Sequence, residues 1–111
     1  MKETEKFESL AREYGRKVGH GIKSTTEVRD ANKICKILFK NNELDLLKPL
    51  CYNSNPYVVL FAASSLLKLY PIEARKILEE LRDSDPSLAG FETKWLLREW
   101  DNGNYKVPYE R

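Results

Sequence analysis

Cysteine and histidine are scarce in this sequence, and their scarcity excludes two kinds of small protein. The chain has two cysteines, Cys35 and Cys51, and one histidine, His20. A disulfide framework needs more cysteines than this, and a structural zinc site needs about four ligands. We therefore expect two reduced, buried thiols, with no metal and no cofactor.

Long apolar runs are also missing. The longest run of apolar residues and serine, residues 57–67, has 11 residues, whereas about 20 are needed to cross a bilayer. The N-terminal segment is charged and lacks the apolar core of a signal peptide. These absences predict a cytoplasmic protein without membrane contact. The sequence also lacks an alternating pattern long enough to build a sheet.

Neither basic nor acidic residues are in large excess, since the formal net charge is +2. The small basic excess lies near Arg16, Lys17 and Lys23, without a dense basic run, which disfavours nucleic acid as the partner. A weak nucleic-acid-binding role through these residues and His20 remains the competing hypothesis. With 41% hydrophobic and 32% charged residues, the 111-residue chain is typical of one soluble globular domain.

Helical periodicity and helix-start signals divide the chain into about five to six helices. Ser24 to Glu27 is a capping box, and Asn55 followed by Pro56 is a strong start signal. The expected helices cover residues 3–14, 26–40, 43–51, 56–69 and 72–82. A further helical stretch is expected from Asp85, with an interruption at Gly90 and regular helix over 91–100. Residues 105–111 contain a proline and are expected to lie extended on the surface.

A helical pattern recurs with a period of 30 residues. Asn53–Tyr70 superposes on Asp83–Trp100 without a gap, and five aligned pairs are identical, beginning with Ser54/Ser84 and Pro56/Pro86. A single all-α domain over 1–111 follows, a short α-solenoid of antiparallel helix pairs of the HEAT or armadillo kind. Its expected parts are an N-terminal helix and Gly-rich turn (1–23), repeat units 24–52, 53–82 and 83–104, the last truncated, and the tail 105–111.

The segment from Asn55 to Leu67 resembles the HEAT-repeat signature of a polar-Pro cap, a Val, a double Ala and a Leu. Residues 46–109 are similar to a small bacterial family of unknown function with a HEAT-like fold. The features that carry the likeness are Leu47-Lys-Pro-Leu50, Asn55-Pro56, Val58, Ala62-Ala63, Pro71-Ile-Glu-Ala74, Ile77-Leu78, Ala89-Gly90, Trp100-Asp-Asn-Gly103 and Tyr105-Lys106. The resemblance implies the fold and no catalytic residue.

Val59 and Phe61 depart from the HEAT-like pattern, which often has basic or polar residues at these positions. Extra apolar residues on this helix indicate extra covered surface. Either the N-terminal helix covers it, which we favour, or a partner does, including a second copy of the chain.

Catalytic groups in a recognisable arrangement are lacking, so we expect a protein that is not an enzyme. The row of second helices in a repeat stack is a common binding face, and here it would present Lys48, Arg75, Lys76, Glu79 and Arg82. Trp95, Trp100 and Tyr105 form a C-terminal aromatic group. These aromatics either close the end of the stack or form a binding surface, since Trp and Tyr are frequent in interface hot spots.

The sequence thus favours a protein–protein interaction module, present as a monomer or homodimer. A narrower hypothesis, based on analogy with small charge-rich bacterial proteins, is an immunity protein that covers the active site of a toxin. The alternative is a weak nucleic-acid-binding or homodimeric scaffold protein.

Overall fold

The computed structural model describes residues 2–111, and within that range every regular element is helical. The prediction of an all-α fold is confirmed. We label the α-helices α1 to α5, and two 3₁₀ segments complete the fold. Their bounds are α1 Lys2–Gly19, α2 Thr25–Lys40, the 3₁₀ helix Leu44–Tyr52, α3 Pro56–Leu66, α4 Pro71–Ser84, α5 Leu88–Asp101 and the 3₁₀ turn Pro108–Glu110.

Helix α3 lies at the centre of the core, as its almost wholly apolar sequence predicts. Nine of its 11 residues are buried, including Ser64 and Ser65, whose hydroxyls donate to the carbonyl oxygen of Phe61 at 3.1 and 2.7 Å. The 3₁₀ helix, α4 and α1 all pack on it. Asn55 caps its start by accepting hydrogen bonds from the backbone N–H groups of residues 57 and 58. The helix ends at Leu66, three residues earlier than expected.

Helix α1 is longer than predicted and covers α3. It continues through Gly15 to Gly19, because packing against Tyr57 offsets the low helix propensity of glycine. The rings of Phe7 and Tyr14 lie 6.1 and 5.1 Å from the ring of Phe61. For Phe61 the N-terminal helix is therefore the cover that the structure shows, and Val59 is also buried.

The expected capping box at the start of α2 does not form. Ser24 occupies the N-cap position, but its side chain makes no capping hydrogen bond. Glu27 instead accepts from Nζ of Lys17 on α1, at 2.8 Å. The ion pair between two helices has displaced a local interaction, and it ties α1 to α2.

The expectation of a helical stretch from Asp85 with an interruption at Gly90 is wrong. Helix α5 begins at Leu88 and runs unbroken, and Ser87 caps it by accepting from the N–H of Ala89. Asp85 lies before the helix, where its carboxylate accepts from the N–H of Ser87 at 2.7 Å. Gly90 sits in the first turn because a Cβ there would overlap the carbonyl oxygen of Asp85. Pro86 is thus not the structural equivalent of Pro56, although the two align in sequence; the division into repeat units stays a prediction.

The segment expected as a short helix over 43–51 is a 3₁₀ helix over Leu44–Tyr52. Pro49 lies inside it and has no backbone N–H, and its ring opposes continuous α-helix. Leu44, Leu47 and Cys51 still face the core, as the pattern of apolar residues predicts.

The tail is only partly extended and exposed, which corrects the sequence expectation for residues 105–111. It contains a 3₁₀ turn at Pro108–Glu110, and Val107 is fully buried. The ring of Tyr109 stacks on that of Phe39 in α2, with centroids 4.1 Å apart and planes 6° from parallel. The C-terminus therefore returns to the N-terminal half of the molecule.

This return closes the helix pairs into a body of 35 × 29 × 25 Å with a radius of gyration of 12.7 Å. A compact domain of this length has a radius of gyration of about 13 Å. No helix in the described part of the chain combines the length and the apolar character needed to span a membrane.

Candidate functional site

A cleft of about 580 Å³ opens where α1, α5 and the tail meet over α3. Helix α5 forms one wall with Glu92, Trp95, Leu96 and Glu99. The tail forms the opposite wall. The remaining lining residues are Tyr14 of α1, Leu60 of α3, Asn104 between α5 and the tail, and Tyr105, Lys106 and Arg111 of the tail. We call this the α5–tail cleft.

Helix α5 has one face that is buried in the core and another that is turned to the α5–tail cleft. Ala89, Thr93 and Leu97 follow helical spacing and are buried, and the Thr93 hydroxyl donates to the carbonyl of Ala89 at 2.7 Å. Trp95 cannot share that face and is 55% exposed. The helix thus presents a large aromatic side chain to solvent between two carboxylates.

Glu92 is half-buried at the boundary between α5 and α1. The Tyr14 hydroxyl donates to its Oε1 at 2.6 Å. Burial raises the pKa of Glu92, and the Tyr14 hydrogen bond opposes that rise. The pKa of Tyr14 is raised mainly by burial and to a smaller extent by the hydrogen bond to Glu92. A negative charge at Glu92 is therefore costly in the free protein.

Neither Glu92 nor Glu99 forms an ion pair with any side chain of residues 3–111. Two cations, Lys106 and Arg111, line the opposite wall of the α5–tail cleft. Arg111 is held on its own side, since its Nε donates to the carbonyl of Lys106 at 3.0 Å and its Cζ lies 5.1 Å from the Tyr105 ring centroid. The cleft therefore holds two carboxylates that form no ion pair with its own two cations, beside exposed and half-buried aromatic rings.

A second groove, of about 610 Å³, lies between α1 and the first turn of α5. Its walls are apolar, and Tyr57 lines it. The residues that line it are Gly15, Gly19, Tyr57, Pro86, Ser87, Leu88 and Phe91.

The exposed apolar residues of α5 border both depressions. Leu88 is 49% exposed and Phe91 is 68% exposed. With Trp95 they follow the i, i+3, i+7 spacing of one helix face. We call these three residues the α5 stripe.

The predicted binding residues do not form one cluster. Trp95 and Tyr105 line the α5–tail cleft, and Trp100 packs edge-on against Tyr105 with ring centroids 6.5 Å apart. Tyr105 and Trp100 are half-buried, so these two aromatics help close the C-terminal end.

The charged residues predicted for the second-helix face lie elsewhere, and several are engaged within the chain. Arg75 forms ion pairs with Asp101 and Glu79, and Arg82 pairs with Asp83 at 2.8 Å. The Nζ of Lys48 lies 3.8 Å from the ring centroid of Tyr70, beside a small pocket of about 160 Å³. Lys76 is exposed.

The candidate phosphate-contacting residues are similarly engaged in part. Arg16 pairs with Glu13, and Lys17 with Glu27. His20 and Lys23 are exposed near the start of α2.

Several residues of the site cannot be identified from the sequence pattern alone. Glu92 and Glu99 look like ordinary solvent-facing carboxylates of an amphipathic helix. Tyr14 looks like a core residue of α1. The exposed apolar face of α5 could be identified from the sequence. The spacing of Leu88, Phe91 and Trp95 places them on a face of the helix distinct from that of the buried residues Ala89, Thr93 and Leu97.

Comparison of the chain with models of protein families, with curated proteins and with solved structures gives no match. The resemblance to a HEAT-like bacterial family therefore stays an expectation based on the sequence.

Proposed function

We propose that this chain is a non-enzymatic protein-binding module whose binding surface consists of the α5 stripe and the two depressions beside it. The observation that supports the proposal is the exposure of Leu88, Phe91 and Trp95, which are 49%, 68% and 55% exposed along one helix face. A contiguous group of large exposed apolar side chains is typical of interaction surfaces. Trp is also among the residues that contribute most to binding energy.

The distribution of apolar and charged residues on this surface favours a protein partner. An apolar centre with charged residues at its edge is the usual composition of a protein interface. Here the α5 stripe is the apolar centre, and Glu92, Glu99, Lys106 and Arg111 lie at the margin. Both signs of charge are present, whereas a nucleic-acid surface needs a predominance of basic groups.

The partner can be sought by affinity capture from an extract of the native cells, using tagged wild-type chain and two variants of the surface. Phe91→Glu places a charge in the α5 stripe, and Trp95→Ala removes the largest ring. Ile72→Ala is the matched control, because Ile72 is 87% exposed and lies on α4, away from the stripe. Circular dichroism checks that each variant is folded.

We expect a protein that the wild type and Ile72→Ala retain equally and that both stripe variants lose. The identity of that protein also tests the narrower hypothesis, since an immunity role requires a toxin. Retention of the same proteins by all four chains would contradict the proposed surface.

A further inference from the structure

The α5–tail cleft combines aromatic rings with two carboxylates that form no ion pair with another described side chain. Trp95 and Tyr105 contribute ring faces, and Glu92 and Glu99 lie about two helical turns apart on α5, one turn to either side of Trp95. Aromatic faces attract cations through the negative charge of the π system. Adjacent carboxylates add a full charge and strong hydrogen-bond acceptors.

We propose that this cleft receives the guanidinium or ammonium group of an Arg or Lys side chain on the partner protein. This inference rests on the proposed function and specifies the chemistry of the partner. The cation lies against Trp95 and Tyr105 and is paired with Glu92, with Glu99 nearby.

The hydrogen bonding of Glu92 leaves room for this contact. Its Oε1 accepts from the Tyr14 hydroxyl at 2.6 Å, which fixes the carboxylate at the wall of the cleft. Its Oε2 accepts no hydrogen bond from any residue that the structure describes. A donor from outside can thus bind a carboxylate that is already oriented and partly desolvated, where a charged hydrogen bond is stronger than in water.

The chain's own arginines already lie near these rings, so an incoming cation displaces them or uses the opposite ring faces. Cζ of Arg98 lies 5.7 Å from the Trp95 ring centroid, and Cζ of Arg111 lies 5.1 Å from that of Tyr105. Both arginines are exposed, and neither pairs with Glu92 or Glu99. The carboxylates therefore keep their charge available for an incoming group.

The source of the cation follows from the surroundings of the cleft. Trp95 belongs both to the cleft and to the α5 stripe, so a partner that fills the cleft also reaches Phe91 one turn away and Leu88 two turns away on the same helix face. A free small cation would leave these apolar side chains uncovered. A basic side chain on a protein surface would bring its neighbours onto them.

The test uses two small probes of nearly identical shape, butylguanidinium and its neutral analogue butylurea. Each is titrated into the ¹⁵N-labelled full chain, and the indole N–H resonances of Trp95 and Trp100 are followed by NMR. The variant Glu92→Gln removes the charge but keeps an acceptor for Tyr14. Glu80→Gln is the control, because Glu80 is an exposed carboxylate on α4.

We expect butylguanidinium to shift the Trp95 resonance in a saturable way, with the affinity reduced about tenfold in Glu92→Gln and unchanged in Glu80→Gln. Butylurea should produce no comparable shift. Equal binding of the two probes, equal affinity of wild type and Glu92→Gln, or no saturable shift with butylguanidinium would each overturn the cation site.

Failure of this inference can be separated from failure of the proposed function. If Phe91→Glu abolishes capture of a partner while butylguanidinium does not bind, the protein-binding surface stands and the cation site is wrong. If butylguanidinium binds as expected but no partner depends on the α5 stripe, the cation site stands and its assignment to a protein partner is wrong. Where a partner is captured, butylguanidinium should release it and butylurea should not.

Discussion

Single residues at the α1–α3 contact show how closely the helices approach. A Cβ at Gly15 would lie 2.8 Å from Cγ of Tyr57, whose ring is mostly buried and packs edge-on against Tyr14 with centroids 5.5 Å apart. At Gly19, by contrast, an added Cβ would meet nothing within 4 Å. The two glycines of the same helix therefore have different roles, and the sequence alone does not distinguish them.

We predict that Gly15→Ala destabilises the protein and that Gly19→Ala does not. Overpacking at Gly15 costs about 1–3 kcal/mol, which exceeds the gain in helix propensity of about 1 kcal/mol or less. Gly19→Ala should be neutral or stabilising by up to about 1 kcal/mol. Urea unfolding monitored by circular dichroism measures both changes. A gain in stability for both variants would show that α1 does not pack on Tyr57.

Glu92 should make the stability of the protein depend on pH in a direction opposite to that of most carboxylates. Burial raises its pKa above the ordinary 4.5, so the folded state binds its proton more readily than the unfolded state. The stability that the protonated form contributes is present below the unfolded pKa. It is lost as pH rises through the folded pKa.

The comparison of wild type with Glu92→Gln isolates this effect. The carboxylates of Glu13, Glu27, Asp83 and Asp101 have lowered pKa values and contribute the opposite trend, but both chains share them. We expect the free energy of unfolding of wild type, relative to Glu92→Gln, to fall between pH 4 and neutral pH. Urea titrations across that range measure it, and a difference that grows with pH would contradict the assignment.

Whole elements could be predicted from the sequence where local signals determine them. Asn55 and Pro56 place the start of α3 correctly, and Pro71 does so for α4. At the end of α2, Asn42 adopts a left-handed conformation (φ 57°), a common way for a helix to stop. In these cases the deciding interactions lie within a few residues of each other.

Elements were mispredicted where distant residues decide the outcome. Lys17 draws Glu27 away from the capping box, and contacts with Tyr57 let α1 continue through Gly15. The tail depends on Phe39, which lies 70 positions away from Tyr109 in the sequence. The α5–tail cleft has the same property, because the Tyr14–Glu92 hydrogen bond joins residues 78 positions apart. Its aromatic residues could be found from composition, but its carboxylates could not.

The burial of the tail leads to a prediction about the stability of the protein. Val107 is fully buried, so Val107→Ala removes two methyl groups from the core and should cost about 1–3 kcal/mol of stability. An extended surface tail would tolerate the same change within about 0.5 kcal/mol. Lys106→Ala, at an exposed neighbouring position, is the control and should fall within that smaller range. Chemical unfolding of the two variants decides between these alternatives.

At the scale of the whole molecule, the tail and α1 join both ends of the helical stack to its middle. In an open solenoid each unit contacts its neighbours alone, and the ends can unfold separately. Here α1 covers α3, the tail returns to α2, and buried residues of all of these elements belong to one core. A single shared core predicts cooperative unfolding of both ends together.

Phe7 and the two tryptophans provide a direct test of that cooperativity. Phe7 is almost fully buried near the start of α1, whereas Trp95 and Trp100 lie in α5. Phe7→Ala should cost about 3–5 kcal/mol, and tryptophan fluorescence should report the same loss as far-UV circular dichroism, because both probes follow one transition. Phe7→Leu, a smaller truncation, repeats the comparison in a chain that keeps more of its stability. If tryptophan fluorescence kept the wild-type midpoint while circular dichroism showed an early partial loss of helix, α1 would unfold independently of α5. The contact between α1 and α5 at Tyr14 and Glu92, in the wall of the α5–tail cleft, would then be separable from the rest of the fold.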